Sequence, residues 1–435
     1  MIHDAACFTA LAPATTAVER QGIFYTKARW TPDALGALAD HLGSAGRGAL
    51  AKLPQRRVLD AWCAAVDSFR DPSSAASEAL RPTLARFSAL SGPALAGALE
   101  AILGGIARPS AETLFAEAQR VSDLEAHRGR LVAVFLASNL PALAVQSMLP
   151  ALALGRPVLL KSPSSEPLFA PAFVRELCRF EPELEPALAA VTWSGGDSAL
   201  ETPVLNRAAT VLAYGEQDTL DSISSRTQGT CIHYGPKTSL GIVAADANPT
   251  DVAPGLAHDI ALFDQRGCLS IQAIYTDGDT QALASALARE LDKLERRWPS
   301  GHLDPVAAAG VQQLRLDARA RGLFQPELPI RSGTVVVDPL PDFRPSPGLR
   351  SVRVHPVGLD SIAPRLTPWK GRLQGAALAG KGAWQLEPQL AELGISRCTV
   401  PGRLQVPDAL WHNGGVHPLE ALSESVSTSA ENRSS

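Results

Sequence analysis

The hydrophobic pattern of this chain changes character near residue 130. Before that point, within residues 34–124, segments such as "DALGALADHLG", "QRRVLDAWCAAVDSF" and "GPALAGALEAILGGI" place apolar residues at helical spacing. Glycine and proline end several of these segments, as they do at helix termini. The pattern predicts an all-helical region, and no motif within it indicates catalysis.

Beyond residue 130, short apolar runs alternate with amphipathic segments. The runs "RLVAVFLAS", "RPVLLKSP", "AAVTWSG" and "ATVLAYG" are predicted strands, and "NLPALAVQSMLPALALG", "EPLFAPAFVRELCRF" and "SALETPVLNRA" are predicted helices. This alternation predicts right-handed βαβ units and a mostly parallel sheet, which binds ligands at the carboxyl ends of its strands. Those ends are polar or glycine-rich here: Ser138 and Asn139, Lys161 and Ser162, Ser194 to Gly196, and Tyr214 and Gly215.

A second α/β unit follows the first. Its predicted strands are "TSLGIVAAD", "LSIQAIYTD", "GTVVVDP" and "LRSVRVHPV", and "TQALASALARELDKLERRW" and "GAWQLEPQLAELGIS" are predicted helices. Residues 339–347, "PLPDFRPSP", form a proline-rich loop. The predicted organisation is a helical N-terminal part (1–124), a cofactor-binding α/β domain (125–235), a catalytic α/β domain (236–395), a C-terminal return segment (396–421) and a disordered tail (422–435).

Composition narrows the functional class. A chain of 435 residues is too long for one compact core, and 46% hydrophobic with 19% charged residues is a globular composition. A net charge of −4 argues against a nucleic-acid or anionic-membrane surface. The N-terminus shows no signal-peptide pattern, and the most apolar window, 140–155, is interrupted by two prolines, a Gln and a Ser. We therefore expect a cytoplasmic protein with no transmembrane segment.

The six cysteines give no metal-binding or disulfide pattern. No pair forms C-x-x-C, and none has a histidine at metal-ligand spacing, so a metal site and a disulfide framework are both disfavoured. One of them, Cys268, stands in "LFDQRGCLSIQ", between a polar segment and a strand-like run. The residues alone leave two interpretations open, a small buried packing residue or a nucleophile.

The segment after the first predicted strand points to one superfamily. No G-x-G-x-x-G follows that strand, so an ordinary dinucleotide fingerprint is absent. Instead Asn139 and Pro141 follow it, Gly155 ends the next helix, Lys161 ends the next strand, and Cys268 lies about 107 residues beyond the lysine. This order of motifs resembles the aldehyde dehydrogenase superfamily. The resemblance implies two Rossmann-like α/β domains, one for a nicotinamide cofactor and one for catalysis.

Within that superfamily the chain most resembles the LuxC-like acyl-CoA reductases, the fatty acid reductases of bacterial luminescence. The resemblance rests on "AYGEQDTLDSI", "HYGPKTSLGIV", "FDQRGCLSIQ", "FRPSPGLRSVRV" and "LGISRCTVPGRLQVPDALWHNGG". It spans roughly residues 125–421, and the helical N-terminal part matches only in general character.

One departure from the superfamily favours this narrower family. Hydrolytic aldehyde dehydrogenases carry a glutamate base in a Glu-Leu-Gly-Gly motif, whereas residues 233–236 here read "HYGP" and contain no carboxylate. An enzyme that passes acyl groups between thiols needs no water-activating base, because a thiolate leaves without strong acid help.

The resemblance implies a role for each candidate residue. Cys268 would attack an acyl thioester and form an acyl-cysteine, while the Asn139 amide and the Cys268 backbone N–H hold the oxyanion. Lys161 would bind the adenosine ribose, and Ser164 replaces a glutamate typical of enzymes that use NAD. This exchange favours NADPH, with NADH possible because Glu166 and Glu216 are near in sequence. The strand-end residues Ser138, Gly196 and Gly215 would complete the cofactor site.

Several alternatives remain at this stage. The leading hypothesis that the resemblance implies is NADPH-dependent reduction of a long-chain acyl-CoA to the fatty aldehyde. In a variant of it, a carrier protein or a partner enzyme's acyl-cysteine donates the acyl group. A hydrolytic aldehyde dehydrogenase or a catalytically silent member of the fold would share most of the motifs. Asn139 could simply cap the helix that Leu140 and Pro141 open. Lys161 and the two glycines could be structural, as His233, His412 and Ser346 could be. By analogy with the superfamily we expect a homo-oligomer.

Overall fold

The structure, a computed structural model, describes residues 3–8, 11, 13–121, 129–137 and 140–423. Fourteen strands are present in these ranges: β1 (His3–Asp4), β2 (Thr15–Arg20), β3 (Ile23–Ala28), β4 (Val132–Phe135), β5 (Val158–Ser162), β6 (Leu188–Thr192), β7 (Thr210–Tyr214), β8 (Thr230–Tyr234), β9 (Thr238–Val243), β10 (Ile271–Thr276), β11 (Thr334–Val337), β12 (Ser351–Pro356), β13 (Leu373–Ala379) and β14 (Arg397–Thr399). The α-helices span Pro32–His41, Arg47–Lys52, Gln55–Arg70, Ala75–Ser88, Gly92–Gly105, Arg108–Ala118, Ala144–Ala153, Phe169–Phe180, Ser198–Leu205, Gln217–Arg226, Pro249–Ala261, Thr280–Arg297, Pro305–Ala320, Ile362–Leu366, Lys381–Trp384, Glu387–Glu392 and Glu420–Ser423.

The first large sheet is parallel and has the strand order β6-β5-β4-β7-β8. In chain order this is 3-2-1-4-5, so the connections reverse direction between β4 and β7, which makes that point the expected ligand crevice. Every residue of β4, β5 and β6 is buried. Helices cover both faces of a parallel sheet, and this explains why these runs are almost continuously apolar.

The second large sheet is also parallel and has the order β11-β12-β10-β9-β13-β14. Its connections reverse between β9 and β13, so a second crevice opens at the carboxyl ends of those strands. Strand β14 belongs to the predicted return segment and forms one edge of this sheet. The predicted domain boundary near residue 235 falls between β8 and β9, the last strand of one sheet and the first of the next.

The N-terminal part is less uniformly helical than predicted. Strands β2 and β3 form an antiparallel hairpin, and β1 adds to its β3 side. The helices that follow pack on the first large sheet through a core that contains Trp62, Phe69 and Phe173, all of them buried. In the described part of the chain no single helix is long and apolar enough to span a membrane. The segments Ala75–Ser88 and Gly92–Ala118, which are bent against each other, together have the length and composition for it.

Some predicted elements differ from those observed. The helix predicted from residue 139 begins at Ala144, because residues 141–143 form a turn in which Ala142 has a φ of 61°. The helix predicted over 382–396 is two short helices. Strands β8 and β13 and the helices Pro249–Ala261 and Pro305–Ala320 were missed. Strand β13, "LQGAALA", is wholly buried but consists largely of small residues, which give no strand pattern in sequence.

The predicted tail also begins later than expected. Leu422 is buried in a short C-terminal helix, and its carbonyl accepts a hydrogen bond from the buried Arg156 guanidinium. The tail prediction was therefore wrong for residues 422 and 423, and residues 424–435 lie outside the described ranges.

Candidate active site

A cavity of about 700 Å³ lies where the two large sheets meet. Its volume falls in the usual range for small-molecule sites. Its wall draws on the N-terminal helices, on the carboxyl end of β7, on β8 and the loop after it, on the segment before β10 and on the C-terminal return segment. Representative lining residues are Ile102, Leu143, Gly215, His233, Lys237, Cys268, Gln405 and Trp411.

Cys268 lies in the wall of this cavity and is half-buried. Burial raises the pKa of its thiol to about 11, while its own backbone N–H, the N–H of Leu269 and the charge of Lys237 act in the opposite direction. The resting thiol is therefore protonated at neutral pH. The groups that stabilise its thiolate are already in place around the sulfur.

The polar segment before Cys268 adopts an unusual backbone. Phe263, Asp264 and Gln265 have positive φ angles of 58°, 50° and 64°. Residues with side chains rarely adopt this conformation, so the surrounding structure must hold it. The segment places the start of β10, and with it Cys268, at the cavity wall.

A buried ion pair holds this segment from one side. Both Nε and Nη2 of Arg350 donate to Oδ1 of Asp264, at 2.9 and 2.6 Å, and Nη1 donates to Glu295 at 2.9 Å. Arg350 is 1% exposed, so the pair is shielded from water. Two guanidinium donors that converge on one carboxylate oxygen restrain both the distance and the orientation of the pair.

Gln265 holds the segment from the other side. Its side-chain nitrogen donates to the carbonyls of Ile271 and Ser351, both at 2.7 Å, and its oxygen accepts from the Ser351 N–H and the Ser346 hydroxyl. Ser346 therefore does more than make a turn: it ties the proline-rich loop to the cysteine segment. The sequence signal for Asp264 and Gln265 was their place in the polar run before Cys268, but their distant partners left no local pattern.

Three further hydrogen bonds hold Cys268 and its neighbours. The Ser239 hydroxyl donates to the Cys268 carbonyl at 2.8 Å. The Ser270 hydroxyl accepts from the Gly267 N–H and donates to Gln405 of the return segment. Cys268 is thus tied directly to β9, and the residues on either side of it are tied to each other and to the return segment.

The "HYGP" segment lines the same cavity as Cys268. His233 lies on β8 and is exposed. Lys237, directly after the segment, is half-buried, and desolvation lowers the pKa of its ammonium group while Cys268 raises it. Sequence reasoning missed Lys237, although its place beside "HYGP" was a signal. His412 is exposed and its ring contacts His417.

Lys161 lies at the carboxyl end of β5, and its side chain is buried. Its ammonium nitrogen stands 5.9 Å from the ring centroid of Trp193, and within the described ranges it forms no ion pair. Desolvation lowers the pKa of Lys161, and Glu201 opposes this shift. The Trp193 indole N–H is likewise buried and finds no partner among the described residues. The two donors suit a ligand rich in hydroxyl and phosphate oxygens.

The other predicted cofactor residues flank these donors. Gly196 is exposed with a φ of 78°, which only glycine adopts freely, and its N–H donates to Glu201, which also pairs with Arg226 at 2.6 Å. Ser164 is exposed at the end of β5. Gly215 lines the cavity at the end of β7. The structure therefore places Lys161, Ser164, Gly196 and Gly215 at carboxyl ends of the first sheet's strands.

Glu166 and Glu216, the two glutamates that left the choice between NADPH and NADH open, differ in environment. Glu166 is buried, and its Oε1 accepts from the Leu168 and Phe169 N–H groups at 2.9 Å, so it faces the start of a helix. Glu216 is exposed and lines the cavity. Among the cavity-lining residues that the structure describes, Glu216 is the only carboxylate.

Ser138 and Asn139 lie outside the described residues. The helix that follows begins at Ala144, so Leu140 and Pro141 do not open it as the capping alternative requires. All six cysteines are free thiols, and no cluster of three or more metal-ligating side chains is present within the described ranges.

Comparison with known proteins gives the family. The sequence profile of the acyl-CoA reductase (LuxC) family matches residues 114–425. The long-chain acyl-protein thioester reductase of Aliivibrio fischeri is 27% identical over 304 residues, covering 67% of this chain and 62% of that protein. A second such reductase, from Photobacterium leiognathi, is also 27% identical, with the same coverage. The chain thus spans less than two thirds of the length of these relatives.

Solved structures confirm the fold that the motifs predicted. Aldehyde dehydrogenase 21 from Physcomitrella patens superposes with a TM-score of 0.70 at 13% identity, covering 92% of this chain and 90% of that one. A putative methylmalonate-semialdehyde dehydrogenase from Sinorhizobium meliloti gives 0.71 at 15% identity, covering 97% and 96%. The fold is that of the aldehyde dehydrogenases, and the chain belongs to the acyl-CoA reductase (LuxC) family.

Proposed function

We propose that this protein reduces a long-chain acyl thioester to the aldehyde with NADPH, through an acyl-Cys268 intermediate. The observation that carries the proposal is that Cys268 shares one cavity with the "HYGP" segment, where a hydrolytic enzyme would hold its glutamate base. A thioester reductase does not need that base, because hydride and not water attacks the acyl-cysteine.

The first half-reaction uses this chain's own groups. The Cys268 sulfur forms a bond to the acyl carbon, the carbon–sulfur bond to the donor thiol breaks, and the proton lost by Cys268 balances the one gained by the donor. Lys237 stabilises the thiolate, and the Cys268 N–H, together with the Asn139 amide, holds the oxyanion; one such donor contributes about 10²–10³ in rate.

The second half-reaction needs the nicotinamide cofactor. A reduced nicotinamide bound here would supply a hydride to the acyl carbon; the carbon–sulfur bond to Cys268 then breaks, the aldehyde is released and Cys268 is left as its thiolate. Lys161, Ser164, Gly196 and Gly215, with Ser138, would hold the nucleotide at the carboxyl ends of the strands. Two carboxylates, Glu166 and Glu216, left NADH possible. Glu166 faces the start of a helix and not the predicted ribose site, and this supports NADPH.

The donor and the acyl chain are also part of the proposal. Ile102, Leu140, Leu143 and Trp411 give the cavity an apolar side suited to a fatty chain. The relatives are named for acyl-protein substrates, and their family for acyl-CoA, so either a CoA or a partner protein's thioester fits. We further propose a cytoplasmic homo-oligomer.

A second candidate is aldehyde oxidation to the free acid, favoured by one observation. Glu216 is a carboxylate in the cavity wall and could activate water there. It does not occupy the "HYGP" position, so this candidate ranks below the reductase.

Mass spectrometry of the protein after incubation with acyl-CoAs of different chain length, without NADPH, tests the proposal. We expect a single acyl adduct on Cys268, strongest for long chains, and NADPH-dependent release of aldehyde. Cys268→Ala should show no adduct, and its rate of aldehyde formation should fall by at least about a thousandfold. The matched control Cys398→Ala, on β14, should retain both.

Two outcomes would overturn the proposal. An adduct that persists in Cys268→Ala would remove the nucleophile. Rapid oxidation of long-chain aldehydes to free acid without a thiol, abolished by Glu216→Gln, would establish the hydrolytic candidate.

A further inference from the structure

The N-terminal hairpin reaches the predicted cofactor site. Arg20 is the last residue of β2, at the hairpin turn, and is exposed. Its Nη1 donates to the backbone carbonyl of Ser164 at 2.7 Å, across 144 residues of sequence. A guanidinium has five N–H donors, so this contact leaves others available at the same place.

Arg20 reaches the region where doubly wound sheets distinguish NADP from NAD. The end of the second strand approaches the adenosine ribose: a carboxylate there binds the free 2′-hydroxyl, and an arginine accommodates a 2′-phosphate. Strand β5 is second in chain order in this sheet, and Ser164 lies just beyond its end.

The charges around Ser164 favour an anion. Glu166 turns inward to the start of the following helix. Alternate residues of a strand point to opposite faces, so Glu19 points away from the face of Arg20. A second guanidinium is close to the turn, since a side-chain carbon at Gly22 would lie 3.4 Å from Nη1 of Arg86.

We propose that Arg20 binds the 2′-phosphate of NADPH and thereby sets the preference for NADPH over NADH. The inference rests on the proposed function, whose cofactor it makes more specific. The hairpin contact with Ser164 aims the guanidinium, and a planar fork of N–H groups suits a phosphate better than a point charge does.

Calorimetric binding of adenosine 2′,5′-bisphosphate and of 5′-AMP tests this without any acyl substrate. Arg20→Gln should weaken the bisphosphate about tenfold or more and leave 5′-AMP unchanged, because a hydrogen bond to a charged group is lost only for the former. Arg20→Lys should give an intermediate loss. Arg29→Gln, which removes an exposed arginine just after the other end of the hairpin, is the matched control and should bind like wild type.

Steady-state kinetics extends the test. Arg20→Gln should raise KM for NADPH and leave the kinetics with NADH unaltered. If Arg20→Gln weakens the binding of both nucleotides equally, or of neither, the proposed role of Arg20 is wrong, while the NADPH preference itself is unaffected. A wild-type protein that binds 5′-AMP as tightly as the bisphosphate instead refutes the NADPH preference, and with it this inference, while the acyl-cysteine chemistry stands or falls on Cys268.

Discussion

At the residue scale, the reactivity of Cys268 depends on a balance between burial and charge. Burial raises the pKa of the thiol to about 11, and Lys237 and two backbone N–H groups lower it. In a cavity shielded from water a single cation has a larger effect than at an exposed site. Lys237 is therefore the side chain whose removal should change the nucleophile most.

Lys237→Met should raise the pKa of Cys268, because the cation that stabilises the thiolate is lost. We expect the pH profile of iodoacetamide alkylation at Cys268 to move up by roughly one unit, so that alkylation at pH 8 slows about tenfold. The rate in Lys237→Arg should stay close to wild type. An unchanged profile in the methionine variant would show that Lys237 does not act on the thiol.

At the element scale, the segment 263–267 shows how long-range contacts position a short loop. Two contacts across 86 residues hold its left-handed residues: Arg350, just before β12, pairs with Asp264, and the Ser351 carbonyl on β12 accepts from the Gln265 side chain. The sequence showed that a polar run precedes Cys268. It did not show that Asp264 and Gln265 point into the protein.

Arg350→Met should destabilise the protein by about 3–5 kcal/mol, because Asp264 is left buried and unpaired. The midpoint of urea unfolding measures this. The matched control is Arg296→Met, which breaks an exposed pair with Asp292 on one helix and should cost less than about 1 kcal/mol. The double variant Asp264→Leu with Arg350→Met should recover part of the loss, and equal losses in the single and double variants would contradict the ion-pair explanation.

At the scale of the whole molecule, the cavity exists only where four parts of the chain meet. Ile102 comes from an N-terminal helix, Tyr214 from the first sheet, Lys237 from the start of the second, and Trp411 from the return segment. Each wall belongs to a different part, so the site forms only when all are folded and packed together.

Leu143→Trp should shift chain-length preference toward shorter acyl groups, because a larger side chain would fill part of the apolar wall. Relative kcat/KM across a series of acyl-CoAs measures the shift. Leu316→Trp, the same change at an exposed position on the helix Pro305–Ala320, is the matched control and should leave the preference unaltered. A Leu143→Trp enzyme with the wild-type chain-length profile would place the acyl chain elsewhere.

The sequence by itself determined the parts of this protein that local pattern and motif order record. Alternating apolar runs predicted the parallel sheets, and the order of Asn139, Lys161 and Cys268 indicated the superfamily. The motifs from "AYGEQDTLDSI" to "LWHNGG", with the missing carboxylate in "HYGP", indicated the family. Strand β13 escaped prediction because small residues carry no strand pattern.

Only the tertiary structure decided which side chains surround these motifs. It buried Lys161 over Trp193, brought Lys237 to Cys268, paired Arg350 with Asp264 and carried Arg20 to Ser164. The physical reason is that such contacts join positions far apart in the chain. They depend on how sheets and helices pack, whereas periodicity reports only which face of an element is apolar.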